Sequence, residues 1–337
     1  MGRASCRTPC QGLTGDHCVK ILKAAPGLDP HNYLAAQLPD DVVTEADFSR
    51  PLGDQVADAE VLLLRDVPIT KEVIDAAPRL KLLQRYGQHI VDVDIAYARS
   101  RGVPVARVPS SISKSDVVVA EHAFYLMMAL AKRQIESQQA FGEGRLGFPE
   151  TQLLAGKTLA LIGVGGTGAQ LARMAYSFGM EVLASKRNLS DLDGADAYIK
   201  QTWPAAHMQE MLSAADYVSL HLPLNRGTRG TIDNKVFHAM KASAYFINIA
   251  RGEIVDKAAL LRALDEQRIA GAGIDVFWDE DNFNPAEFEG LKNLLCTPHI
   301  AGASVDCLHA LADAVALNVN RIRDGKAPLY SVEDGDD

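Results

Sequence analysis

Arg251, Glu280 and His299 are the residues of this sequence whose types and spacing could carry out chemistry. Each lies at or shortly after the end of a short apolar run of strand length in the second half of the chain. If those strands are parallel, all three side chains emerge at the same edge of a sheet. An imidazole can move a proton near neutral pH, and a carboxylate on its far nitrogen would fix its tautomer. A guanidinium grips a carboxylate at two points, so the three together could process a 2-oxo or 2-hydroxy acid beside a hydride carrier.

A glycine-rich stretch predicts that hydride carrier. Residues 158–187 read TLALIGVGGTGAQLARMAYSFGMEVLASKR, which is an apolar strand, a G-x-G-x-x-G turn, a helix and a second strand. The first glycine permits a tight turn, the second lets the backbone approach a pyrophosphate, and the third lets helix and strand pack closely. The helix N-terminus offers free N–H groups to phosphates. We therefore predict a dinucleotide site formed by Gly163, Gly165, Gly166, Thr167 and Gly168.

Strand-like and helix-like segments alternate along the chain on both sides of the glycine-rich stretch. The predicted strands span residues 17–22, 61–64, 80–84, 103–108, 158–162, 180–184, 217–221, 245–249, 272–277 and 294–297. Alternation of this kind is typical of parallel α/β sheets. The predicted fold class is α/β, with two open, doubly wound parallel-sheet domains that bind ligands beyond the carboxyl ends of their strands.

Residues 115–139 read as one long helix whose middle, VVVAEHAFYLMMALA, is apolar almost all round. A helix of this kind must be covered on both sides. One cover is its own domain, and the other is either a second subunit or the second domain of the same chain. We favour the second subunit and predict a homodimer.

Composition excludes several classes of protein. The chain has 337 residues and a net charge of −9, so neither nucleic acid nor an anionic membrane is an expected partner. Its most apolar run, residues 117–131, is interrupted by two polar residues and is too short to span a bilayer. The start has no signal-peptide pattern, and the cysteines fit a reducing compartment, so we expect a cytoplasmic protein. Cys6, Cys10 and Cys18 lack a fourth ligand at zinc-like spacing, and no metal site is predicted.

The sequence resembles a known family, the D-isomer-specific 2-hydroxyacid dehydrogenases, which includes phosphoglycerate dehydrogenases and glyoxylate/hydroxypyruvate reductases. The resemblance covers about residues 21–325, and its most specific runs are INIARGEIVD and TPHIAGAS. It implies that residues 114–302 form a Rossmann dinucleotide-binding domain. It also implies that residues 1–113 plus 303–337 form a flavodoxin-like substrate-binding domain.

The resemblance also implies individual roles. Arg251 would bind the carboxylate and carbonyl of the substrate, and Glu280 would support His299, the acid/base that exchanges a proton with the substrate oxygen. Asp275 would bind the carboxamide of the nicotinamide. Four further residues would line the cofactor cleft, namely His221, Pro223, Thr228 and Ala250.

A loop in the first half would complete the substrate site. By resemblance, the loop Gly87-Gln88-His89-Ile90 would offer backbone N–H groups to the substrate carboxylate, and Arg65 is a further candidate for substrate binding. The family usually has a glycine where this chain has His89, and a proline after the supporting glutamate where this chain has Asp281. His89 would crowd the pocket, add a donor or point to solvent, so the identity of the substrate stays open.

The end of the second strand of the glycine motif selects the cofactor. NAD-binding versions carry an Asp or Glu there for the ribose hydroxyls. We expect this strand to end at Ala184 or Ser185, so the selecting positions hold Ser185, Lys186 and Arg187, and no acid. A hydroxyl and two cations would hold a 2′-phosphate, and NADPH-using family members carry similar residues. The nearest acids, Glu181 and Asp191, lie within the strand and well past it, so neither replaces the missing acid. NADP(H) is therefore the predicted cofactor, with NAD(H) as the alternative.

The predicted activity is hydride transfer between NAD(P)H and a small 2-oxo acid, which gives a D-2-hydroxy acid. Glyoxylate and hydroxypyruvate are the favoured substrates. A phosphoglycerate dehydrogenase-like enzyme is the alternative, and Arg65 and Arg85 are available for its phosphate. A dinucleotide-sensing, corepressor-like binding protein is a further alternative, although the sequence has neither a basic patch nor a long interaction tail.

Overall fold

The computed structural model describes residues 18–29, 31–65, 67–88, 90, 93–188 and 191–332. The chain forms two compact units. One unit consists of Met1–Lys114 together with Val305–Asp337, and the other consists of Ser115–Ser304. The divisions expected from the sequence, after residues 113 and 302, lie one and two residues before these boundaries.

The first unit is built on a five-stranded parallel sheet. Its strands are β1 Lys20–Lys23, β2 Val42–Glu45, β3 Val61–Leu64, β4 Leu82–Arg85 and β5 Val105–Ala106. They lie in the order β2-β1-β3-β4-β5, which is the flavodoxin-like order for a doubly wound sheet. The connecting helices are α1 Tyr33–Gln37, α2 Lys71–Asp75, α3 Ile95–Ser100 and α4 Ser110–Ser113.

The second unit is built on a seven-stranded parallel sheet. Its strands are β6 Thr158–Ile162, β7 Glu181–Lys186, β8 Gln201–Pro204, β9 Tyr217–Leu220, β10 Tyr245–Asn248, β11 Gly271–Ile274 and β12 Leu294–Cys296. The helices are α5 Ser115–Ala131, α6 Gln134–Gly142, α7 Gly166–Ser177, α8 Gln209–Ala214, α9 Asn234–Ala239 and α10 Lys257–Asp265, and α11 Val305–Arg323 returns to the first unit. The order β12-β11-β10-β9-β6-β7-β8 is a Rossmann order with one added strand, and it reverses direction at β6.

Helix α5 is apolar because it covers the sheet of its own unit. Leu126 and Met127 are fully buried, and a side chain on Gly273 of β11 would lie only 3.1 Å from Leu126. The single helix expected over residues 115–139 is wrong. Helix α5 ends at Ala131, Arg133 takes a left-handed φ of 48°, and α6 starts a new direction.

Two strands, β2 and β8, are not predicted by the sequence analysis. Both lie at the outer edge of their sheets, and their residues are half-buried or exposed. An edge strand has one solvated side, so its sequence need not be a continuous apolar run. The first strand also begins later than expected, at Lys20 rather than at residue 17.

Within the described residues, no helix is both long enough and apolar enough to cross a membrane. The same part of the chain shows no group of three or more His, Cys, Asp or Glu side chains that could hold a metal ion. Cys6 and Cys10 lie outside the described residues, and no disulfide joins Cys18, Cys296 and Cys307.

Candidate active site

The residues with expected chemistry follow neighbouring strands of the seven-stranded sheet. Strands β12, β11 and β10 end just before His299, Asp275 and Arg251, and β9 and β6 end just before His221 and Gly163. Because parallel strands point the same way, the loops that follow them meet at one edge. The topology of this unit therefore brings the predicted catalytic and cofactor-binding residues to one side of one sheet.

His299 and Glu280 form a direct pair. Nδ1 of His299 lies 2.6 Å from Oε2 of Glu280, and the backbone N–H of Phe277 donates to Oε1 at 3.0 Å. Burial raises the pKa of Glu280, but the hydrogen bonds from His299 and Phe277 and the positive charges of His299 and Arg251 together lower it below its ordinary value. A carboxylate can only accept, so Nδ1 carries a proton. Nε2 is then the nitrogen that can exchange a proton with a substrate.

Asp275 holds the loop that follows β12. Its side chain is fully buried. Oδ1 accepts from the Thr297 hydroxyl at 2.6 Å and from the Ile300 N–H at 3.0 Å, and Oδ2 accepts from the Ala301 N–H at 2.8 Å. Burial raises the pKa of Asp275, but these bonds and one from His122 lower it below the ordinary value for an aspartate. The buried carboxylate is therefore ionised and bound to the backbone of this loop.

The backbone of His299 is left-handed, with a φ of 52°. This conformation costs a residue other than glycine about 1–2 kcal/mol. It persists only where surrounding bonds impose it, and the bonds to Asp275 lie immediately after His299. Both oxygens of Asp275 thus already bind protein groups, and its expected contact with a nicotinamide carboxamide stays a prediction.

Asn248 holds the loop that carries Arg251. Buried at the end of β10, its Nδ2 donates to the carbonyl of Arg251 at 3.1 Å, and its Oδ1 accepts from the Ala250 N–H at 3.0 Å. The guanidinium of Arg251 is exposed, and its Nη1 donates to the Ala250 carbonyl at 2.7 Å. At Gly252 a Cβ would overlap the carbonyl group of Phe277. The loop that carries Arg251, called the arginine loop below, and the loop that leads to Glu280 are therefore in direct backbone contact.

The glycine turn has the shape that a dinucleotide needs. Gly163 has a φ of 92°, and a Cβ there would lie 2.9 Å from the carbonyl oxygen of His221. A Cβ on Gly168 would lie 3.1 Å from the carbonyl of Gly163, so helix and strand pack tightly. Helix α7 begins at Gly166 with no side-chain cap, which leaves its first N–H groups for an external acceptor. This arrangement fits a pyrophosphate.

Acidic side chains approach the same turn. A Cβ on Gly166 would overlap the carboxylate of Asp116, and a Cβ on Gly165 would lie 3.9 Å from Oδ2 of Asp193. The Asp116 carboxylate therefore occupies the place of a side chain at Gly166, whereas Gly165 leaves open space. Thr167 is the second residue of α7 and is half-buried.

The expected cofactor-cleft residues occupy the segments that follow β9 and β10, and His221 contacts the glycine motif. Nε2 of His221 lies 2.9 Å from the Ser219 hydroxyl, its buried Nδ1 has no partner among the described residues, and burial lowers its pKa to about 4. His221 is therefore neutral and packs beneath Gly168. The hydroxyl of Thr228 donates to the carbonyl of Pro223 at 2.6 Å and closes a turn. Ala250 is buried in the arginine loop.

The end of β7 differs from the expectation. The strand runs to Lys186 rather than ending at Ala184 or Ser185, and Ser185 is buried. Nζ of Lys186 donates to the carbonyl of Asp191 at 2.6 Å and lies 3.5 Å from the carboxylate of Asp193. Arg187 is exposed. Asp191, which lies well past the strand in sequence, and Asp193 thus fold back onto Lys186.

The expected substrate loop belongs to the first unit. Gly87 follows β4 with a φ of 143° and accepts from the Val108 N–H at 2.9 Å. The side-chain oxygen of Gln88 accepts from the Ser110 N–H at 2.9 Å. Arg65, directly after β3, is half-buried. His89 lies outside the described residues.

Sequence reasoning missed four residues that shape the site, namely Asn248, Thr297, His122 and Asp193. The first two stand within the runs INIARGEIVD and TPHIAGAS, where a polar residue ends an apolar strand. His122 is a polar residue inside an apolar helix, which is a signal of a buried hydrogen bond. Only the structure shows where Asp193 lies.

A family model describes the same region. The model for the NAD binding domain of D-isomer specific 2-hydroxyacid dehydrogenases matches residues 124–301, which is just over half of the chain. A glyoxylate reductase from Korarchaeum cryptofilum is 34% identical over 280 residues, covering 80% of this chain and 81% of that protein.

Solved structures agree with this match. An NADPH-dependent glyoxylate/hydroxypyruvate reductase from Sinorhizobium meliloti, in complex with NADP and malonate, is similar with a TM-score of 0.76 at 25% identity, over 95% of this chain and 98% of that one. A D-lactate dehydrogenase from Aquifex aeolicus, complexed with NAD and lactic acid, has a TM-score of 0.74 at 26% identity, over 91% and 96% of the two chains. These likenesses confirm the resemblance seen in the sequence, and the chain belongs to the D-isomer-specific 2-hydroxyacid dehydrogenase family.

Proposed function

We propose that this protein reduces glyoxylate and hydroxypyruvate to the corresponding 2-hydroxy acids, with NADPH as the preferred reductant. The observation that carries the proposal is the His299–Glu280 pair, at 2.6 Å, on the same sheet edge as an uncapped glycine turn. A 2-oxo acid reductase needs a proton donor beside a dinucleotide site, and the presence of this pair and this turn at one edge supports the proposal. The names of the relatives from Korarchaeum and Sinorhizobium support the choice of substrate.

Each residue has a distinct task in the reaction. When bound, the nicotinamide cofactor supplies the hydride that adds to the keto carbon. His299, protonated on both nitrogens, donates the Nε2 proton to the keto oxygen, and Glu280 holds the Nδ1 proton and stabilises the positive ring. Arg251 binds the carboxylate of the substrate and polarises its carbonyl. In oxidation of a 2-hydroxy acid the same imidazole, neutral at Nε2, accepts the proton.

We expect His299→Ala to lower kcat about 10²–10⁴-fold with glyoxylate and NADPH, because the positioned proton donor is lost. The dissociation constant for NADPH, measured by fluorescence titration, should change less than about threefold. His238→Ala is the control, since His238 is an exposed histidine on α9. A parent enzyme that turns over none of a panel of 2-oxo acids would contradict the proposed function, and a fully active variant would remove His299 from it.

Glu280→Gln should lower kcat/KM about 10- to 100-fold at neutral pH, because an amide cannot stabilise the imidazolium. The lowered pKa of Glu280 means that its ionised form stabilises the fold above its unfolded pKa, and that this stabilisation is lost as pH falls through the folded value. The parent should therefore melt above the variant at pH 7, and the difference should shrink below about pH 4.

The control for this pair is Glu289→Gln, which changes an exposed carboxyl of the following loop. It should leave the kinetics unchanged. A difference in melting temperature that stays constant from pH 7 to pH 3 would show that Glu280 is not held ionised by the pair.

We propose NADPH as the preferred cofactor because Lys186 and Arg187 stand at the end of β7. The 2′-phosphate competes with Asp191 and Asp193 for the ammonium group of Lys186, whose side chain is only 20% exposed. Two cations near a dianionic phosphate form charge-assisted hydrogen bonds that NADH cannot make. The acids lower this preference without reversing it.

The expected preference for NADPH over NADH is at least about tenfold in kcat/KM, or about 1.4 kcal/mol. Replacing Lys186 and Arg187 together with Ala should erase most of it through KM for NADPH. Asp193→Asn should increase it, because Lys186 loses a competing acid. Lys200→Ala is the control, because it removes a lysine that pairs with Glu181 at the start of β7. A parent that prefers NADH would overturn the assignment.

We also propose a homodimer, formed through α6 and the segment after it rather than through α5. Residues 135–153 expose five large apolar side chains, namely Ile135, Phe141, Leu146, Phe148 and Leu153. Phe141 is 81% and Leu146 93% exposed, which is costly in water unless another surface covers them. We propose that a second copy of the same chain covers these side chains, because every solution of this protein contains one.

Light scattering at micromolar concentration should give about twice the chain mass of 36.4 kDa. Replacing Phe141 and Leu146 together with Asp should give the single-chain mass, whereas Tyr125→Asp on α5 should not. A parent that runs as a single chain would refute the dimer.

A further inference from the structure

His122 is a polar residue in the apolar helix α5, and none of the proton-transfer steps above uses it. Its side chain is only 14% exposed. Nε2 of His122 lies 2.8 Å from the hydroxyl of Thr297 and 3.4 Å from Oδ1 of Asp275. A largely enclosed histidine that faces a hydroxyl and a carboxylate at these distances is part of a defined hydrogen-bond chain.

The hydrogen bonds of this chain can run in one direction only. The Thr297 hydroxyl has a single proton, and Oδ1 of the Asp275 carboxylate, 2.6 Å away, can only accept it. The hydroxyl oxygen must therefore accept from His122, so Nε2 of His122 carries a proton. The direction of donation is His122 to Thr297 to Asp275.

The other end of this hydrogen-bond chain is the backbone that follows His299. Asp275 accepts from the N–H groups of Ile300 and Ala301, the two residues that directly follow His299. His299 has the left-handed φ of 52°. Rotating the Asp275 carboxylate would break both bonds, and the loop would then lose the contacts that hold this backbone conformation.

We infer that His122 and Thr297 are positioning residues for the acid/base. By holding the Asp275 carboxylate in one orientation, they hold the backbone on which His299 meets Glu280. The inference rests on the proposed function, because it assigns these residues to the proton-transfer step. A displacement of about 1 Å at a reacting group can lower a rate about 100-fold.

A merely structural role predicts something different. If Thr297 and His122 only fill space, any variant that packs well should keep kcat, and a variant that packs badly should lower stability without a selective effect on kcat. The positioning role predicts instead that kcat falls while KM for the 2-oxo acid changes little, because Arg251 stands on a separate loop held by Asn248.

The experiment compares matched substitutions in the full-length protein. Thr297→Val keeps the shape and removes the hydroxyl, and Thr297→Ser keeps the hydroxyl. His122→Leu removes the donor, and His122→Gln keeps a donor at a similar reach. We expect kcat with glyoxylate and NADPH to fall about 10- to 100-fold in the Val and Leu variants, and to stay within about threefold of the parent in the Ser and Gln variants. Thr44→Val, on the edge strand β2, is the control.

A second readout does not require turnover. Deuterium exchange of the peptide that contains the Ile300 and Ala301 amides should become about tenfold faster in Thr297→Val, and not in Thr297→Ser. An inactive parent would refute the proposed function, yet this exchange would still test the positioning chain. Parent-like kcat and exchange in Thr297→Val would overturn the inference, as would equal losses in the Val and Ser variants.

Discussion

The structure of the second unit depends on one ionised carboxylate with no access to water. Removing a carboxylate from water costs several kcal/mol, and the loss is tolerated only when strong donors surround the charge. Asp275 has a hydroxyl and two backbone N–H groups as donors, with an imidazole nearby. Three of these groups belong to the loop that follows β12. The charge therefore determines the conformation of that loop, because any other loop conformation would leave the Asp275 carboxylate without its donors.

The sheet explains why a single charge can have this effect. In a parallel sheet every strand ends at the same edge, so the loops after β10, β11 and β12 are neighbours although they are far apart in sequence. Asp275 lies between the other two loops and can reach the backbone of one of them. Asn248 plays the corresponding part for the arginine loop. Two buried polar side chains at strand ends thus hold the loops that carry Arg251 and His299.

Much of this arrangement could be predicted from the sequence. The α/β class, the family and the glycine turn follow from strand-length apolar runs and from motifs with a physical reason for each glycine. The edge strand β2 could not be found in this way, because half-solvated residues carry little apolar pattern. The break at Arg133 could not be predicted because residues 132–139, KRQIESQQ, contain neither glycine nor proline, while the backbone takes a left-handed turn.

Side-chain partners were harder to predict than positions. Spacing placed Arg251, Glu280 and His299 at strand ends, but it could not show that Thr297 lies between His122 and Asp275. Spacing also could not show that the carboxylate of Asp193 lies beside Lys186, because the path of a loop depends on contacts with the rest of the protein.

Gly252 has a consequence for how this site can change over evolutionary time. Its missing side chain lets the arginine loop rest on the carbonyl of Phe277, whose N–H holds Glu280. Any larger residue at position 252 would displace the loop that carries Arg251 and the backbone that holds Glu280 at the same time. A single substitution at position 252 would therefore disturb both loops together, so this position accepts only glycine while the two loops stay in contact.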